Sequence, residues 1–393
     1  MRVAFVAGSL TQGGAEKQLL YMARALRERH VDLRVFSLTR GEFHEGGLQR
    51  ACIDPIWVGR HGHPLARLLT LARVFARWRP HIIQSTHFFG NLYAAILGRV
   101  FGALSVGSIR NDGYFDVRAN GRWGPWLLST PPVLLANSAA ARHNAAVLGV
   151  PKNRTYVLSN VIDLVEFDRK CRWRTAPDRP AGPVAIAVCR VVPAKRLDRF
   201  VHALALARRD VPALRGIIVG DGPERGPLQE LAKSLGGLDE ALTFVGRSDD
   251  VPALLARADM LVLTSDHEGF PNVVLEAMAA GLPVVATPAG DVRRIVERDV
   301  TGYVVPFDGI DAIAQHMVRL ATSEGLRTRL GNAGRARVER LYSYHTLGDR
   351  LLDVYRRMAE SQRNSRTLAV IPAELGLTPR AQRYARGISY TTQ

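Results

Sequence analysis

Cysteine is scarce in this chain of 393 residues: Cys52, Cys171 and Cys189 stand far apart, without CxxC spacing or nearby histidine clusters. That speaks against a disulfide framework or a zinc module and fits a reducing compartment. No apolar stretch reaches the roughly 18 uninterrupted residues of a membrane span. The opening Met1–Ala7 run is too short for a signal peptide and reads as a first strand. Internal repeats and low-complexity tracts are absent, which leaves an ordinary globular chain. Acidic residues are also short: 36 Asp and Glu face 53 Lys and Arg, a net charge of +17. The excess is uneven, because residues 1–175 hold 24 basic against 11 acidic side chains. Such a field attracts phosphates on nucleic acid, on an anionic membrane or on a lipid-linked substrate. Lysine is rare too, 48 of the 53 basic residues being Arg, so codon usage is an equal alternative explanation of the excess. The basic half lacks a recognition helix, an aromatic RNA-binding motif and a zinc module, so it does not read as a nucleic-acid binder.

What is present is a length beyond one hydrophobic core, hence two domains. Short β-branched runs alternate with segments of helical period, the pattern of βαβ units and parallel sheets. Val3–Ala7, Leu33–Leu38, His81–Ser85 and Val133–Ala136 read as strands of a first domain, residues 1–168. Val184–Cys189, Gly216–Val219, Leu242–Val245, Met260–Thr264 and Pro283–Ala286 read as strands of a second, residues 183–341. Residues 169–182, charged and rich in Pro, form the expected linker. A helix over 342–360 and a peripheral tail over 361–393 follow. The expected class is α/β, with two doubly wound domains.

Ligands of open parallel sheets bind outside the carboxyl ends of the strands. The first strand leads into Gly8 and the pair Gly13-Gly14 before a helix, an arrangement that lets backbone amides approach an anion. It is not a Walker A loop, because Gly13 is followed by Gly14, Ala15 and Glu16, where Lys and Ser/Thr would be needed. The strand ending at Cys189 delivers Arg190, with Lys195 in the loop behind it. Cations there suit a departing nucleoside diphosphate, whose negative charge grows in the transition state. The strongest pattern is Met260 to Gly281, a strand, a loop and a helix, with Glu268 before the helix and Glu276 a turn into it. Asn272 is the expected N-cap and Gly281 the expected stop. Free amides near Val273 and Val274 would meet a pyrophosphate, with the positive helix end behind them. Glu276 then reaches ribose hydroxyls and Glu268 the sugar. Asp266-His267-Glu268 superficially resembles an acidic metal triplet, but the cations and amides already serve the phosphates, so no metal is expected. His87 follows a first-domain strand and reads either as a site residue or as a structural histidine.

At these residues the chain resembles the retaining glycosyltransferases of family 4, the glycosyl transferases of group 1. The likeness is strongest over 183–345, through Gly220-Asp-Gly-Pro-Glu224, Phe244-Val-Gly-Arg247 and the Glu268 to Glu276 spacing. It is looser in the first half, through Gly13-Gly14, His87, Asn137-Ser138 and Asn160 to Asp163, where Asn-Val replaces the family's usual Asn-Gly. The resemblance implies a GT-B fold, two facing Rossmann-like domains with a cleft between them and a C-terminal helix crossing back to the first. It implies transfer of a hexose-type sugar, with retention, from a nucleotide diphosphate sugar to a glycan or lipid-linked acceptor in cell-surface polysaccharide or glycolipid synthesis. Neither cofactor nor metal is implied. Glu268, His87, Arg190 and Lys195 would be catalytic. Gly13, Gly14, Arg247, Gly269, Phe270, Pro271, Asn272, Val273 and Glu276 would bind the donor. Alternatives are a nucleotide-sugar epimerase of the same architecture and a basic nucleic-acid-binding protein.

A basic amphipathic pattern over Pro64–Arg79 sets Arg67, Arg73 and Arg77 beside Leu65, Leu68, Leu69, Ala72 and Phe75. This reads either as a sheet-covering helix or as one that lies on an anionic leaflet. The expected location is the cytoplasm, at the inner face of the plasma membrane in the second case.

Overall fold

The computed structural model describes residues 1–59, 62–172, 182–236, 238 and 240–365. They fall into two compact units, one of Met1–Ser159 with the chain from His345 onward, the other of Asn160–Tyr344. The first is built on strands β1 (Arg2–Ala7), β2 (Asp32–Ser37), β3 (Ile56–Trp57), β4 (Ile82–Ser85), β5 (Leu104–Ile109), β6 (Val133–Ala136) and β7 (Thr155–Val157), in the order β3-β2-β1-β4-β5-β6-β7. Every pairing is parallel. β1 reads Arg-Val-Ala-Phe-Val-Ala and is buried from Val3 on, the near-continuous apolar run of a strand covered on both faces.

The second unit carries β8 (Val184–Val188), β9 (Arg215–Val219), β10 (Leu242–Gly246), β11 (Met260–Leu263), β12 (Val284–Ala286) and β13 (Gly302–Val304). Their order is β10-β9-β8-β11-β12-β13, again all parallel. Two apolar clusters cover the two faces. One is centred on Phe200, Leu204 and Ile313, the other on Leu261, Val274 and Ile295. The order turns back between β8 and β11, and the corresponding turn in the first unit lies between β1 and β4.

Several expectations are corrected. The first domain's end, expected at 168, lies at Ser159, because Ile162 is bonded on both sides to the chain around Ser343 and Asp168 takes a bidentate pair from Arg335 at 2.6 and 2.8 Å. The expected linker begins inside a helix, Leu164–Arg172, whose Phe167 is buried in the second unit's core. The rest of that stretch, 173–181, lies outside the described residues, as does the tail from 366. The C-terminal helix runs over Leu347–Ser365 and packs on the first unit: Asp349 takes two bonds from Arg29 at 2.7 and 2.8 Å, and Tyr355 donates to Gln84 at 2.6 Å.

Helix Pro64–Trp78 does cover the sheet, but through Leu71, Phe75 and Trp78. These recur at i, i+4 and i+7, so Leu65 and Leu69 fall on the opposite side, 62% and 56% exposed. Arg73 and Arg77 share that outer side, whereas Arg67 does not. It is half-buried, and among the described residues its Nε has no hydrogen-bond partner.

Candidate active site

In the second unit, β8 and β11 lie side by side at the point where the strand order reverses, and the loops leaving their carboxyl ends meet. After β8 the chain passes Cys189 and Arg190, makes one 3-10 turn at Pro193–Lys195 and enters helix Leu197–Asp210 through Arg196, whose φ is 45°. After β11 it passes Thr264 to Pro271 and enters helix Asn272–Ala279. The two loops are sewn together: the Asp266 amide donates to the Ala194 carbonyl at 3.0 Å, and the Thr264 hydroxyl donates to the Lys195 carbonyl at 3.0 Å.

The side chains follow. Lys195 Nζ lies 2.6 Å from Glu268 Oε1, and Ser265 Oγ donates to the same oxygen at 2.8 Å. Both charged groups are largely withdrawn from water, at 15% and 13% exposure. Each charge is therefore matched where it could not stand alone. Oε2 of Glu268 keeps its acceptor capacity. Arg190 and Arg247 follow β8 and β10, are exposed, and make no side-chain hydrogen bond or ion pair among the described residues. The structure thus gathers one ammonium and one carboxylate into a fixed pair and leaves two guanidiniums open, one behind β8 and one behind β10, with β9 between those strands. Asp266 turns away to Arg199 Nη1 at 2.5 Å and to Arg196 at 3.4 Å, so the acidic triplet is divided among separate cations.

The helix entry differs from expectation. Pro271, extended at φ −74° and ψ 101°, occupies the cap position, and Asn272 is the first helical residue. Its Oδ1 accepts from Asn160 Nδ2 at 2.7 Å instead of capping the helix. The Val274 amide, expected to be free, closes on the Pro271 carbonyl at 3.1 Å. Val273 remains half-buried at the helix start, and Glu276 half-buried on its next turn. Gly269 and Phe270 are buried, Phe270 lying edge-on to Tyr342 at 5.7 Å. Gly281 ends the helix region with φ 75°, as its position requires.

Several contributors were not visible in the sequence. Arg199 donates to the Thr264 carbonyl at 3.0 Å and Thr287 to the Ser265 carbonyl at 2.6 Å, fixing the backbone on either side of Ser265. Gly290, with φ 57°, lies so close that a Cβ there would stand 2.4 to 2.5 Å from the carbonyls of Gly269 and Glu268. Cys189 is close enough to Glu268, Lys195 and Arg190 to feel their charges. Burial first, and Glu268 after it, push its thiol up to about 12, against the two cations. It stays protonated and is not a nucleophile at neutral pH.

In the first unit His87 follows β4. Its Nδ1 accepts from the Gly8 amide at 3.1 Å, which makes Nε2 the protonated nitrogen of the neutral ring, facing Glu16 Oε1 at 3.2 Å. Glu16 sits in the first turn of the helix that opens at Gly14, with Gly13 as its extended N-cap, and accepts from Ser9 at 2.9 Å. Burial alone would raise the Glu16 carboxyl, but the His87 and Ser9 bonds hold it below its ordinary value. Glu16 was noticed in the sequence only as the residue that excludes a Walker A loop. Among the described residues no three of His, Cys, Asp and Glu converge as a metal cluster. None of their helices is long and apolar enough to cross a membrane.

Comparison with known proteins bears on both units. The family model for glycosyl transferases group 1 matches residues 173–337, and that for glycosyltransferase family 4 matches residues 12–166. An N-acetyl-alpha-D-glucosaminyl L-malate synthase of Bacillus anthracis is 33% identical over 144 residues, 37% of this chain and 37% of that protein. A GDP-mannose-dependent alpha-(1-6)-phosphatidylinositol monomannoside mannosyltransferase of Mycobacterium tuberculosis is 34% identical over 183 residues, 44% of this chain. The match spans 47% of that relative, so in both cases it covers less than half of the curated protein. Among solved structures, Anabaena Alr3699/HepE in complex with UDP and glucose superposes with a TM-score of 0.79 at 21% identity, over 90% of this chain and 99% of that one.

Proposed function

The chain belongs to glycosyltransferase family 4, the glycosyl transferases of group 1, with the GT-B fold, and on that premise we propose that it moves a hexose-type sugar, with retention of anomeric configuration, from a nucleotide diphosphate sugar to a glycan or lipid-linked acceptor. The observation that carries this reading is the Lys195–Glu268 pair at the second unit's switch point, with Arg190 exposed behind the same strand, β8, and Arg247 exposed behind β10. An ammonium has three donors, so Lys195 can keep Glu268 and also meet a diphosphate. Arg190 complements it with a planar fork suited to phosphate oxygens. Glu268 Oε2 accepts from a sugar hydroxyl, and Glu276 from the ribose. Gly269 to Val273 supply the backbone that faces the donor. His87, with both ring nitrogens engaged, acts as a fixed surface and not as a proton carrier.

A double displacement would need a carboxylate free to attack the anomeric carbon. Glu268 is held by Lys195 and Ser265, Asp266 by Arg199, and the Cys189 thiol is protonated. Same-face displacement is the reading that fits, the leaving phosphate taking the acceptor's proton. Cations already stand where a metal would neutralise phosphate charge, so the reaction proceeds without one. UDP and GDP sugars are the first donors to try, since one relative is GDP-mannose-dependent by name and the Anabaena structure holds UDP. The relatives' named acceptors, a phosphatidylinositol mannoside among them, favour a place in glycolipid or cell-surface polysaccharide synthesis. The outer stripe of helix Pro64–Trp78 would then rest on the anionic inner leaflet.

The test is the product's anomeric configuration, read by proton NMR with and without EDTA. The reading expects the donor's configuration to be kept and the rate to be unchanged by EDTA. An inverted product, or activity abolished by EDTA and restored by Mg2+, overturns it.

A further inference from the structure

Several arginines withdrawn from water have acceptors placed for them. Arg199 meets Asp266, Arg335 meets Asp168, and Arg154 donates to three carbonyls of the segment Ser129–Pro132. Arg110 is different. It is half-buried at the carboxyl end of β5, and its guanidinium has two partners: Ser108 Oγ, 3.0 Å from Nε, and Met22 Sδ, 3.6 Å from Nη2. Among the described residues no carboxylate comes within ion-pair range. Among the described residues, neither hydrogen of Nη1 and only one of Nη2 meets a protein acceptor. The nearby acids are turned elsewhere. Asp112 accepts from the Phe115 amide at 3.0 Å, and Asp116 is bonded to Asn111. Burial draws the guanidinium down to about 10, the Tyr355 phenol opposing, so it is still fully charged at neutral pH.

A half-buried cation without a counter-charge is costly unless something supplies one. The backbone that carries Arg110 is held firmly. Asn137 Nδ2 donates to its carbonyl at 2.8 Å, the Asn91 side chain brackets Ser108, and Asn144 grips Asp112. Strand ends are where open parallel sheets take ligands, and the surrounding half of the chain is strongly basic.

We propose that Arg110 is an oxyanion-binding residue of the first unit, taking a phosphate or carboxylate carried by the acceptor on the open edge of its guanidinium fork. The inference rests on the reading of this chain as a transferase with a separate acceptor. A guanidinium presents paired, coplanar donors that match two oxygens of either group, which lysine does not reproduce. The phosphate or carboxylate would set which acceptors enter, leaving donor chemistry to the second unit.

The experiment uses the full chain. Binding of inorganic phosphate, succinate and dodecyl phosphate is measured calorimetrically for wild type, Arg110→Gln, Arg110→Lys and Arg190→Gln, with UDP and GDP titrated separately. Saturable binding of at least one anion is expected in wild type, at least about tenfold weaker in Arg110→Gln, intermediate in Arg110→Lys and retained in Arg190→Gln. Dodecyl phosphate binding far more tightly than inorganic phosphate identifies a lipid headgroup, and similar affinities a soluble anion. Equal anion affinity in wild type and Arg110→Gln overturns the proposal, as does absence of anion binding by wild type. A lowered melting temperature with unmoved anion affinity also overturns it, because that is a purely structural role. Should Arg110→Gln not fold, Arg110→Lys decides alone, and unchanged affinity there is the overturning result. Loss of nucleotide binding in every protein, with the anion result intact, would overturn the donor assignment and leave this one standing.

Discussion

Glu268 commits one oxygen to Lys195, from the loop behind β8, and to Ser265, from its own loop. The paired glutamates were legible because strand, loop and helix follow one another in sequence with the carboxylates on either side of the helix start. Arg199, Thr287 and Gly290 were not, since each touches the loop across many residues of chain and none belongs to a local pattern. Asn272 was misjudged for a related reason: a residue type suited to capping was read where Pro271 already held the extended cap conformation. A pH prediction belongs at this scale. Burial first, and Asp112 second, raise the Asp116 carboxyl to about 6 from its ordinary 3.8, against Asn111 and His87. A carboxyl whose folded value is raised binds more protons in the folded state, so folding stability falls as pH rises from about 4 to about 6. At about 1.4 kcal/mol per unit, the loss is about 3 kcal/mol. Asp116→Asn should flatten that part of a urea-melt series and be more stable than wild type at pH 7. Parallel curves for the two proteins would contradict the assignment.

Among the elements, the strands seen in advance are, all but one, runs of four to six residues with a core of β-branched or other large apolar side chains. Those overlooked are Ile56–Trp57, Leu104–Ile109, Thr155–Val157 and Gly302–Val304. Three of these are too short to display a period, and Leu104–Ile109 is interrupted by Ser105, Gly107 and Ser108, small residues that are nonetheless buried. Helix Pro64–Trp78 was found, but its faces were exchanged in part, because leucines occur all round it and only packing decides which are covered. Its two sides make separable predictions. Phe75→Ala on the buried side should cost about 3–5 kcal/mol in a denaturant melt. Leu65→Glu with Leu69→Glu should leave stability nearly unchanged yet abolish co-sedimentation with anionic vesicles at low salt, two apolar contacts being replaced by two repelled charges. If the double variant sediments like wild type, the outer stripe is not a membrane surface.

For the whole molecule, two parallel sheets with switch points were implied by the alternation of short apolar runs and helical segments, and both units have them. The boundary was displaced because Asp168 to Arg172 are polar apart from Cys171 and run into the charged, Pro-rich stretch behind them, while Ile162, Phe167 and Asp168 anchor the segment to the second unit. Such long-range contacts leave no local trace. The central claim is that the Lys195–Glu268 site performs sugar transfer by stabilising a departing diphosphate. It is tested most directly by the initial rate of nucleoside diphosphate release from UDP- and GDP-hexoses in the presence of candidate acceptors, wild type against Lys195→Ala. Loss of one preorganised cation predicts a fall of about 10²–10³-fold in a protein that still melts cooperatively. A Lys195→Ala rate within about twofold of wild type would contradict that stabilising role.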